Sequence, residues 1–244
     1  MNGTKGIYII GTDTDVGKTV VCAGLMYLLK SKGYDCCYFK PVSSGGRQTE
    51  NGFFSYDVSF VKEVSGFNED DEMINPFRFK TPVSPHLASE AEGFAVDKEI
   101  ILDRYRKLSE KYRYIVAEGC GGLAVPLSRD GYMQFQLIKE MGLSCILVSR
   151  TVLGTINHTL LTLSFAQNAG IPIKGIIFSG FSDRTLERDN IETIRKLSKV
   201  PVLGVVPKID GISVEIINAE DKILGELKSV FEKTINIEEL LANV

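Results

Sequence analysis

The 244-residue sequence predicts an α/β fold in which helices cover both faces of a mostly parallel sheet. Short runs of β-branched or aromatic residues alternate with helical patterns from one end of the chain to the other. Such alternation implies right-handed crossovers, which leave consecutive strands parallel. The loop between the first strand and the first helix also has a phosphate-binding pattern. One domain over residues 1–244 is our first choice, and two smaller domains are the alternative.

Strands and helices are predicted in alternating order. Apolar, β-branched and aromatic runs predict the strands, at 7–10, 36–39, 114–117, 145–148, 175–178 and 202–206. Helical periodicity predicts the helices, from about 18 onward, at 56–64, 97–111, 133–141, 157–168 and 186–197, and again near the C-terminus. Irregular structure is predicted where Ser, Gly and Pro are frequent, at 43–52 and 69–85. Gly33 and Gly170 mark two helix ends, and Pro41 and Pro207 follow two strands.

The segment GTDTDVGKT at 11–19 predicts a phosphate-binding loop, or P-loop. Gly17 would let backbone N–H groups approach phosphate oxygens, and the helix that begins near Lys18 would direct its free N–H groups and dipole at the same anion. Lys18 is expected to reach the β- and γ-phosphates, and the hydroxyl of Thr19 to bind Mg²⁺. The first glycine stands one residue earlier than the usual spacing requires, so an incidental Gly-Lys-Thr in a strand–turn–helix is the alternative.

Composition and charge exclude several classes of function. The chain is 44% hydrophobic and 24% charged, which is typical of a soluble globular protein. A net charge of −3 gives no basic surface for nucleic acid. No apolar run approaches the ~18–20 residues of a membrane span, and the N-terminus lacks a secretory pattern. Five cysteines without CxxC spacing and two distant histidines argue against a zinc site or a disulfide framework, and predict reduced thiols in the cytoplasm.

Polar residues stand where predicted strands end, which is where parallel sheets bind ligands. Pro41 favours an extended conformation at Lys40, so this lysine would point into the crevice. Glu118 follows an apolar strand and could bind Mg²⁺, as could Asp57 near the start of a helix. Ser179 ends a further strand. The alternatives are a solvated edge lysine at Lys40, a solvated or helix-capping glutamate at Glu118 and a helix N-terminal aspartate at Asp57.

Six segments together resemble the dethiobiotin synthetase family, the ATP-dependent enzymes of biotin biosynthesis. They are GTDTDVGKT (11–19), YFKPVSSG (38–45), TPVSPH (81–86), EGCGG (118–122), LGTINH (153–158) and PVLGVVP (201–207). The segments keep the family's order and cover nearly the whole chain. The family's own loop carries its glycine one residue early, which explains the irregular spacing.

The resemblance implies a seven-stranded, mostly parallel sheet of the P-loop NTPase class and a homodimer with its substrate site at the interface. The substrates would be 7,8-diaminopelargonate, CO₂ and ATP, with Mg²⁺ as the metal cofactor. One amine would capture CO₂ as a carbamate, ATP would activate it as a carbamic–phosphoric anhydride, and the second amine would close the ureido ring and release phosphate.

The resemblance also implies roles for individual residues. The catalytic residues would be Lys40, Lys18 and Thr14. The substrate contacts would be Thr14, Lys40, Ser44, Gly154 and Asn157, the last two at a helix N-terminus that could hold the substrate carboxylate from the partner subunit. The metal ligands would be Thr19, Asp57 and Glu118. The nucleotide would be bound by Asp15, Val16, Gly17, Lys18, Thr19, Val20, Asp57, Glu118, Gly119, Cys120, Gly121, Ser179, Gly180, Pro207, Lys208 and Ile209.

The chain departs from the family pattern at two places. Ser179 stands where the family often has an asparagine that reads adenine, so ATP selectivity is open at this position. A tyrosine that some relatives place near the substrate tail is not evident, and Asn190 or Ile191 falls near that place.

Two other classes of P-loop protein are the alternatives to this interpretation. A deviant P-loop switch ATPase has a lysine where this chain has Asp13, whose opposite charge could not neutralise phosphates of a facing subunit. A cobyrinate-type amide synthetase domain normally adjoins a glutamine amidotransferase domain, for which we expect no room before Val244 and find no Cys–His nucleophile pair.

Overall fold

A parallel β-sheet runs through the centre of the computed structural model, which describes residues 5–50, 52–214 and 221–242. The strands are β1 (Lys5–Gly11), β2 (Cys36–Phe39), β3 (Val42–Ser44), β4 (Arg47–Thr49), β5 (Gly52–Phe54), β6 (Phe77–Phe79), β7 (Tyr114–Gly122), β8 (Ser144–Ser149), β9 (Ile173–Phe181) and β10 (Val202–Pro207). The helices are α1 (Lys18–Ser31), α2 (Tyr56–Ser65), α3 (Asp71–Ile74), α4 (Pro85–Glu92), α5 (Lys98–Lys111), α6 (Gln134–Met141), α7 (Thr155–Ala169), α8 (Thr185–Ser198), α9 (Asp221–Thr234) and α10 (Ile237–Ala242).

The main sheet has the strand order β10-β9-β8-β1-β7-β2, and every neighbouring pair is parallel. Helices lie on both faces, so the central strands are apolar on both sides, and 7–10 and 145–148 are almost completely buried. The α/β fold with a mostly parallel sheet is therefore confirmed. Because all strands run in one direction, their carboxyl ends meet at one edge, and the loops after β1, β2, β7, β8, β9 and β10 share that edge.

The seven-stranded sheet implied by the resemblance is not what the described residues form, because their main sheet has six strands. The remaining strands are three residues long and pair with one another, β3 with β6 in parallel and β4 with β5 as an antiparallel hairpin. They lie beyond Pro41, where the chain leaves the central sheet, in segments in which Gly and Pro are frequent. The prediction of irregular structure at 43–52 and 69–85 was thus wrong in part, since β3 to β6 and α3 fall there.

Two strands run three or more residues further at their carboxyl ends than the sequence predicted. β7 continues through Glu118 to Gly122, which pairs with Gly11 of β1. β9 continues beyond Ser179 to Phe181, which pairs with β10. Hydrogen bonds from parallel neighbours hold these glycine-containing segments extended, and no local pattern could indicate that. Glu118 and Ser179 therefore lie within strands near the ligand-binding edge and not at the strand ends.

Helix α4 was missed entirely, although its boundaries carry ordinary signals. Pro85 occupies the first turn after Ser84 at the N-cap, and Gly93 ends the helix in a left-handed conformation. The other predicted helices occur within two residues of their expected starts. Buried apolar side chains from the sheet and the helices form one cluster, while the single-domain organisation stays a prediction. No helix in the described ranges is long and apolar enough to cross a bilayer.

Candidate active site

The P-loop, 11–19, leaves β1 at its carboxyl end and leads directly into α1. Asp15 and Gly17 have left-handed backbone conformations, with φ of 55° and 96°. The backbone N–H of Thr12 donates to the carbonyl of Val148 at 3.0 Å, which ties the loop to β8. Gly17 is the N-cap and no side-chain hydrogen bond caps α1 there, so the first N–H groups of the helix remain available to an anion.

Two lysines enter the crevice beside this loop. Lys18 is 7% exposed, and its Nζ donates to the carbonyl of Asp13 at 2.9 Å. Lys40, which follows β2, is 3% exposed. Its Nζ lies 2.6 Å from Oε1 of Glu118 and 2.7 Å from Oδ2 of Asp57. The structure therefore places Lys40 between two carboxylates and not in solvent at the sheet edge.

The three predicted metal ligands converge at the same point. The Thr19 hydroxyl donates to Oε1 of Glu118 at 2.8 Å and lies 3.1 Å from Oδ1 of Asp57. No cluster of three or more His, Cys, Asp or Glu side chains suited to a metal occurs in the described part of the chain. The possible metal donors at this point are the carboxylates of Asp57 and Glu118 and the hydroxyl of Thr19, all hard oxygens. They fit Mg²⁺, which takes one or two protein carboxylates and completes its octahedron with water and phosphate oxygens.

The charges in this cluster shift one another's pKa values. Burial alone would lower the pKa of the Lys40 ammonium, but the carboxylates of Asp57 and Glu118 outweigh burial and raise it. Burial alone would raise the pKa of Asp57, but Lys40 reverses this and lowers it. Burial, and then the charge of Lys40, lower the pKa of Lys18. Burial also raises the pKa of the Cys120 thiol to about 11, so this cysteine is not poised as a nucleophile.

Three residues that sequence reasoning did not select support these side chains. The Tyr38 hydroxyl donates to Oε2 of Glu118 at 2.7 Å, and burial followed by the charge of Glu118 raises the pKa of this phenol well above its usual value. The amide of Asn75 donates to the carbonyl of Lys40 at 2.6 Å, and Ser43 donates to the amide oxygen of Asn75 at 2.8 Å. A polar residue in an otherwise buried segment is the signal that could have found them.

A cavity of about 690 Å³ joins the P-loop to this cluster. It brings together the predicted residues Thr14, Lys18, Lys40 and Ser44, beside the predicted metal ligands and residues 119–121 of β7. Gly154 and Asn157 do not line it. Both are exposed at the start of α7, where Gly154 is the N-cap. Within one chain, the residues expected to hold the substrate carboxylate are therefore separate from the crevice.

A second cavity, of about 310 Å³, adjoins the first and shares the P-loop wall with it. It is lined by the remaining nucleotide candidates, Val16, Ser179, Gly180, Pro207, Lys208 and Ile209. Every residue predicted to bind the nucleotide therefore lines one of the two cavities. The arrangement can accommodate a triphosphate along the P-loop, with its base in the smaller cavity.

Arg150 is a further residue of the smaller cavity that the sequence did not single out. It follows β8 and donates to the carbonyls of Thr14 at 3.2 Å and Asp15 at 3.0 Å. Asn190 and Ile191, the positions expected near the substrate tail, are both buried. The Asn190 amide donates to the carbonyl of Thr151 at 2.8 Å, so it braces the segment after β8.

Comparison with known proteins relates the chain to one family. A family model described as an AAA domain matches residues 5–215. The chain is 42% identical to the ATP-dependent dethiobiotin synthetase of Caldicellulosiruptor saccharolyticus, over 93% of this chain and 94% of the relative. It is 44% identical to that of Clostridium kluyveri, over 84% and 86%, and 40% identical to that of Bacillus subtilis strain 168, over 87% and 91%.

Solved structures with the same fold are more distant in sequence. The MinC:MinD cell division protein complex of Aquifex aeolicus matches with a TM-score of 0.60 at 13% identity, over 98% of this chain and 96% of the other. A ParA family ATPase from Chlorobium tepidum matches with a TM-score of 0.57 at 14% identity, over 99% and 100%. At these identities the likeness concerns the fold alone, and it is that of P-loop NTPases.

Proposed function

This chain belongs to the ATP-dependent dethiobiotin synthetase family, and we propose that it forms the ureido ring of dethiobiotin from 7,8-diaminopelargonate, CO₂ and ATP. It is accordingly an ATP-dependent ligase of biotin biosynthesis. The observation that carries the proposed chemistry is the Lys40 ammonium, buried between two carboxylates beside a P-loop. Free cysteines in the described chain support a location in the reducing cytoplasm.

The reaction joins two amines through one carbon. One amine of the substrate adds to CO₂ and loses a proton, which gives a carbamate. A carbamate oxygen attacks the γ-phosphorus of ATP and expels ADP, which gives the carbamic–phosphoric anhydride. The second amine then attacks the carbonyl carbon and expels phosphate, and loss of its proton completes the cyclic urea.

Charge is the main obstacle to the phosphoryl transfer, because carbamate and triphosphate are both anions. Lys18, at the start of α1, would neutralise the β- and γ-phosphates. Lys40 can offset the repulsion between the carbamate oxygen and the γ-phosphoryl group. Thr14 and Ser44 line the same cavity and can contact the diamine and the carbamate. Catalysis of this kind depends on positioning and electrostatic stabilisation, which fixed ammonium groups in a buried crevice supply.

Thr19, Asp57 and Glu118 would hold Mg²⁺, which would add positive charge at the phosphates when bound. The chain's own contribution at this point is electrostatic balance. Lys40 offsets part of the negative charge of the two carboxylates, and the Thr19 hydroxyl lies between them.

The proposal includes a homodimer in which a second copy packs against α7. Leu153 is 83% exposed just before this helix, and Leu161 and Phe165 on the helix are 61% and 37% exposed. Exposed large apolar side chains along one helix favour a protein partner. The same helix carries Gly154 and Asn157 at its N-terminus, so a second copy could bring its α7 to the crevice and hold the substrate carboxylate.

Isotope incorporation tests the proposed reaction directly. With labelled bicarbonate, ATP, Mg²⁺ and the diamine, we expect label in a cyclic urea and one phosphate released per ring. Omission of the diamine, CO₂ or Mg²⁺ should each reduce phosphate release to background. A switch ATPase would instead hydrolyse ATP at the same rate without the diamine, and that result would refute the proposed reaction.

Ser179 predicts that the enzyme distinguishes weakly between ATP and nucleotides with other bases. Its Oγ lies against Gly17, and a single hydroxyl offers fewer base contacts than a bidentate amide. We therefore expect kcat/KM for ATP to exceed that for GTP or CTP by only a few-fold. Ser179→Asn is expected to increase the preference for ATP. A strong preference for ATP in the wild-type enzyme would show that the missing amide is immaterial.

A further inference from the structure

We propose that Tyr38 is a positioning residue, which fixes the Glu118 carboxylate so that Oε1 alone faces the crevice. The inference rests on the proposed function, because it concerns the same metal and nucleotide site. Tyr38 itself does not line the cavity that the reactants would occupy, so it would act through Glu118.

The sheet register places the two side chains together. In the parallel pair of β2 and β7, Tyr38 is opposite Val116 and Phe39 is opposite Ala117. Side chains of a strand alternate between faces, so Glu118 shares the face of Val116, and hence of Tyr38. Tyr38 and Glu118 are thus diagonal neighbours across the two strands, a separation that a tyrosine can span. Continuing the same register by two residues brings Lys40 level with Glu118.

The two oxygens of Glu118 have different partners. Oε1 accepts from the Lys40 ammonium at 2.6 Å and from the Thr19 hydroxyl at 2.8 Å. Oε2 accepts from the Tyr38 hydroxyl at 2.7 Å. This division sets the rotation of the carboxylate about its last bond, because Oε2 would lose its donor if the group turned.

Burial makes the Tyr38 contact important for geometry. Tyr38 is 0% exposed and Glu118 is 1% exposed, so water from bulk cannot readily replace the phenol. A buried carboxylate oxygen without a donor is unfavourable, and a carboxylate free of Tyr38 would turn to satisfy Oε2 from the Lys40 and Thr19 side. Such a turn moves Oε1 away from the position in which it meets Asp57 across Thr19.

Removal of the hydroxyl alone is the direct test. Tyr38→Phe keeps the ring in the core, and we expect about a tenfold or greater loss of Mn²⁺ affinity in the presence of ADP, because groups that orient metal ligands affect affinity by ~10–100-fold. Binding of ADP without metal is expected to remain at the wild-type level. Electron paramagnetic resonance of free Mn²⁺ measures the Mn²⁺ affinity, and calorimetry in the presence of EDTA measures the metal-free ADP affinity.

Tyr112→Phe is the matched control. Its hydroxyl also donates to a carboxylate at 2.7 Å, that of Glu69, away from the crevice. This variant should bind Mn²⁺ and ADP like the wild type. Wild-type Mn²⁺ affinity in Tyr38→Phe would overturn the proposal, and so would an equal loss of Mn²⁺ binding and of metal-free ADP binding. The melting temperature of each variant shows whether the protein measured is folded.

The measurements of Mn²⁺ and ADP binding do not depend on which reaction the enzyme catalyses. They use no diamine and no CO₂, so failure of the labelled-bicarbonate experiment would leave their results intact. Conversely, ring formation by the wild-type enzyme together with unchanged Mn²⁺ binding in Tyr38→Phe would refute the role of Tyr38 alone.

Discussion

Replacement of Lys40 by alanine is expected to slow ring formation by at least about 100-fold while ATP still binds within a few-fold of the wild-type affinity. The ammonium is fixed by Asp57 and Glu118 in the crevice, where preorganised charge is most effective. Loss of one preorganised electrostatic group typically costs ~10²–10³ in kcat. ATP binding should persist because the P-loop and Lys18 would still hold the phosphates.

Single-turnover kinetics measures the rate of ring formation in Lys40→Ala, and equilibrium binding measures its ATP affinity. Lys62→Ala is a suitable control, because Lys62 is also paired with a carboxylate, that of Asp71, but does not line the crevice. We expect wild-type turnover in that control. Wild-type turnover in Lys40→Ala would remove Lys40 from the mechanism.

Gly17→Ala is expected to weaken ATP binding by about 100-fold. An alanine Cβ at this position would lie 2.4 Å from Oγ of Ser179 and 3.0 Å from its Cβ. The residue also has φ of 96°, and the left-handed region costs an L-residue ~1–2 kcal/mol. The loop must therefore move away from β9, and its N–H groups would lose their common orientation toward phosphate.

Gly33→Ala separates backbone strain from the close contact. Gly33 has φ of 76° at the end of α1, and no described atom lies within 4 Å of a Cβ built there. This variant should lose some thermal stability and keep wild-type ATP affinity by calorimetry. Equal affinities in Gly17→Ala and the wild type would show that the loop does not cradle the phosphates.

Much of the fold could be predicted because its central strands are buried on both faces. Continuous apolar runs such as 7–10 and 145–148 are a strong local signal, and the glycines that end helices are another. The short strands near Arg47 and Phe77 carry no such signal, since three residues give no periodicity. The extension of β7 past Glu118 depends on hydrogen bonds from β1, which a sequence pattern does not contain.

The candidate site, like the fold, could be predicted only in part. The P-loop motif and the strand-end rule selected Lys18, Lys40 and Glu118, because topology alone brings strand ends to one edge. Tyr38 and Asn75 were missed because their roles depend on which partner they meet. The Tyr38–Glu118 contact joins positions 80 residues apart, and only the β2–β7 register determines it.

The position of Lys40 determines the net charge of the crevice. Two ammonium groups, of Lys18 and Lys40, stand near two carboxylates, of Asp57 and Glu118, so the crevice supplies its own counter-ions. It has little electrostatic reason to retain a divalent ion on its own. The four side-chain charges already sum to zero, so a divalent ion held by Asp57 and Glu118 would need the negative charge of a nucleotide beside it.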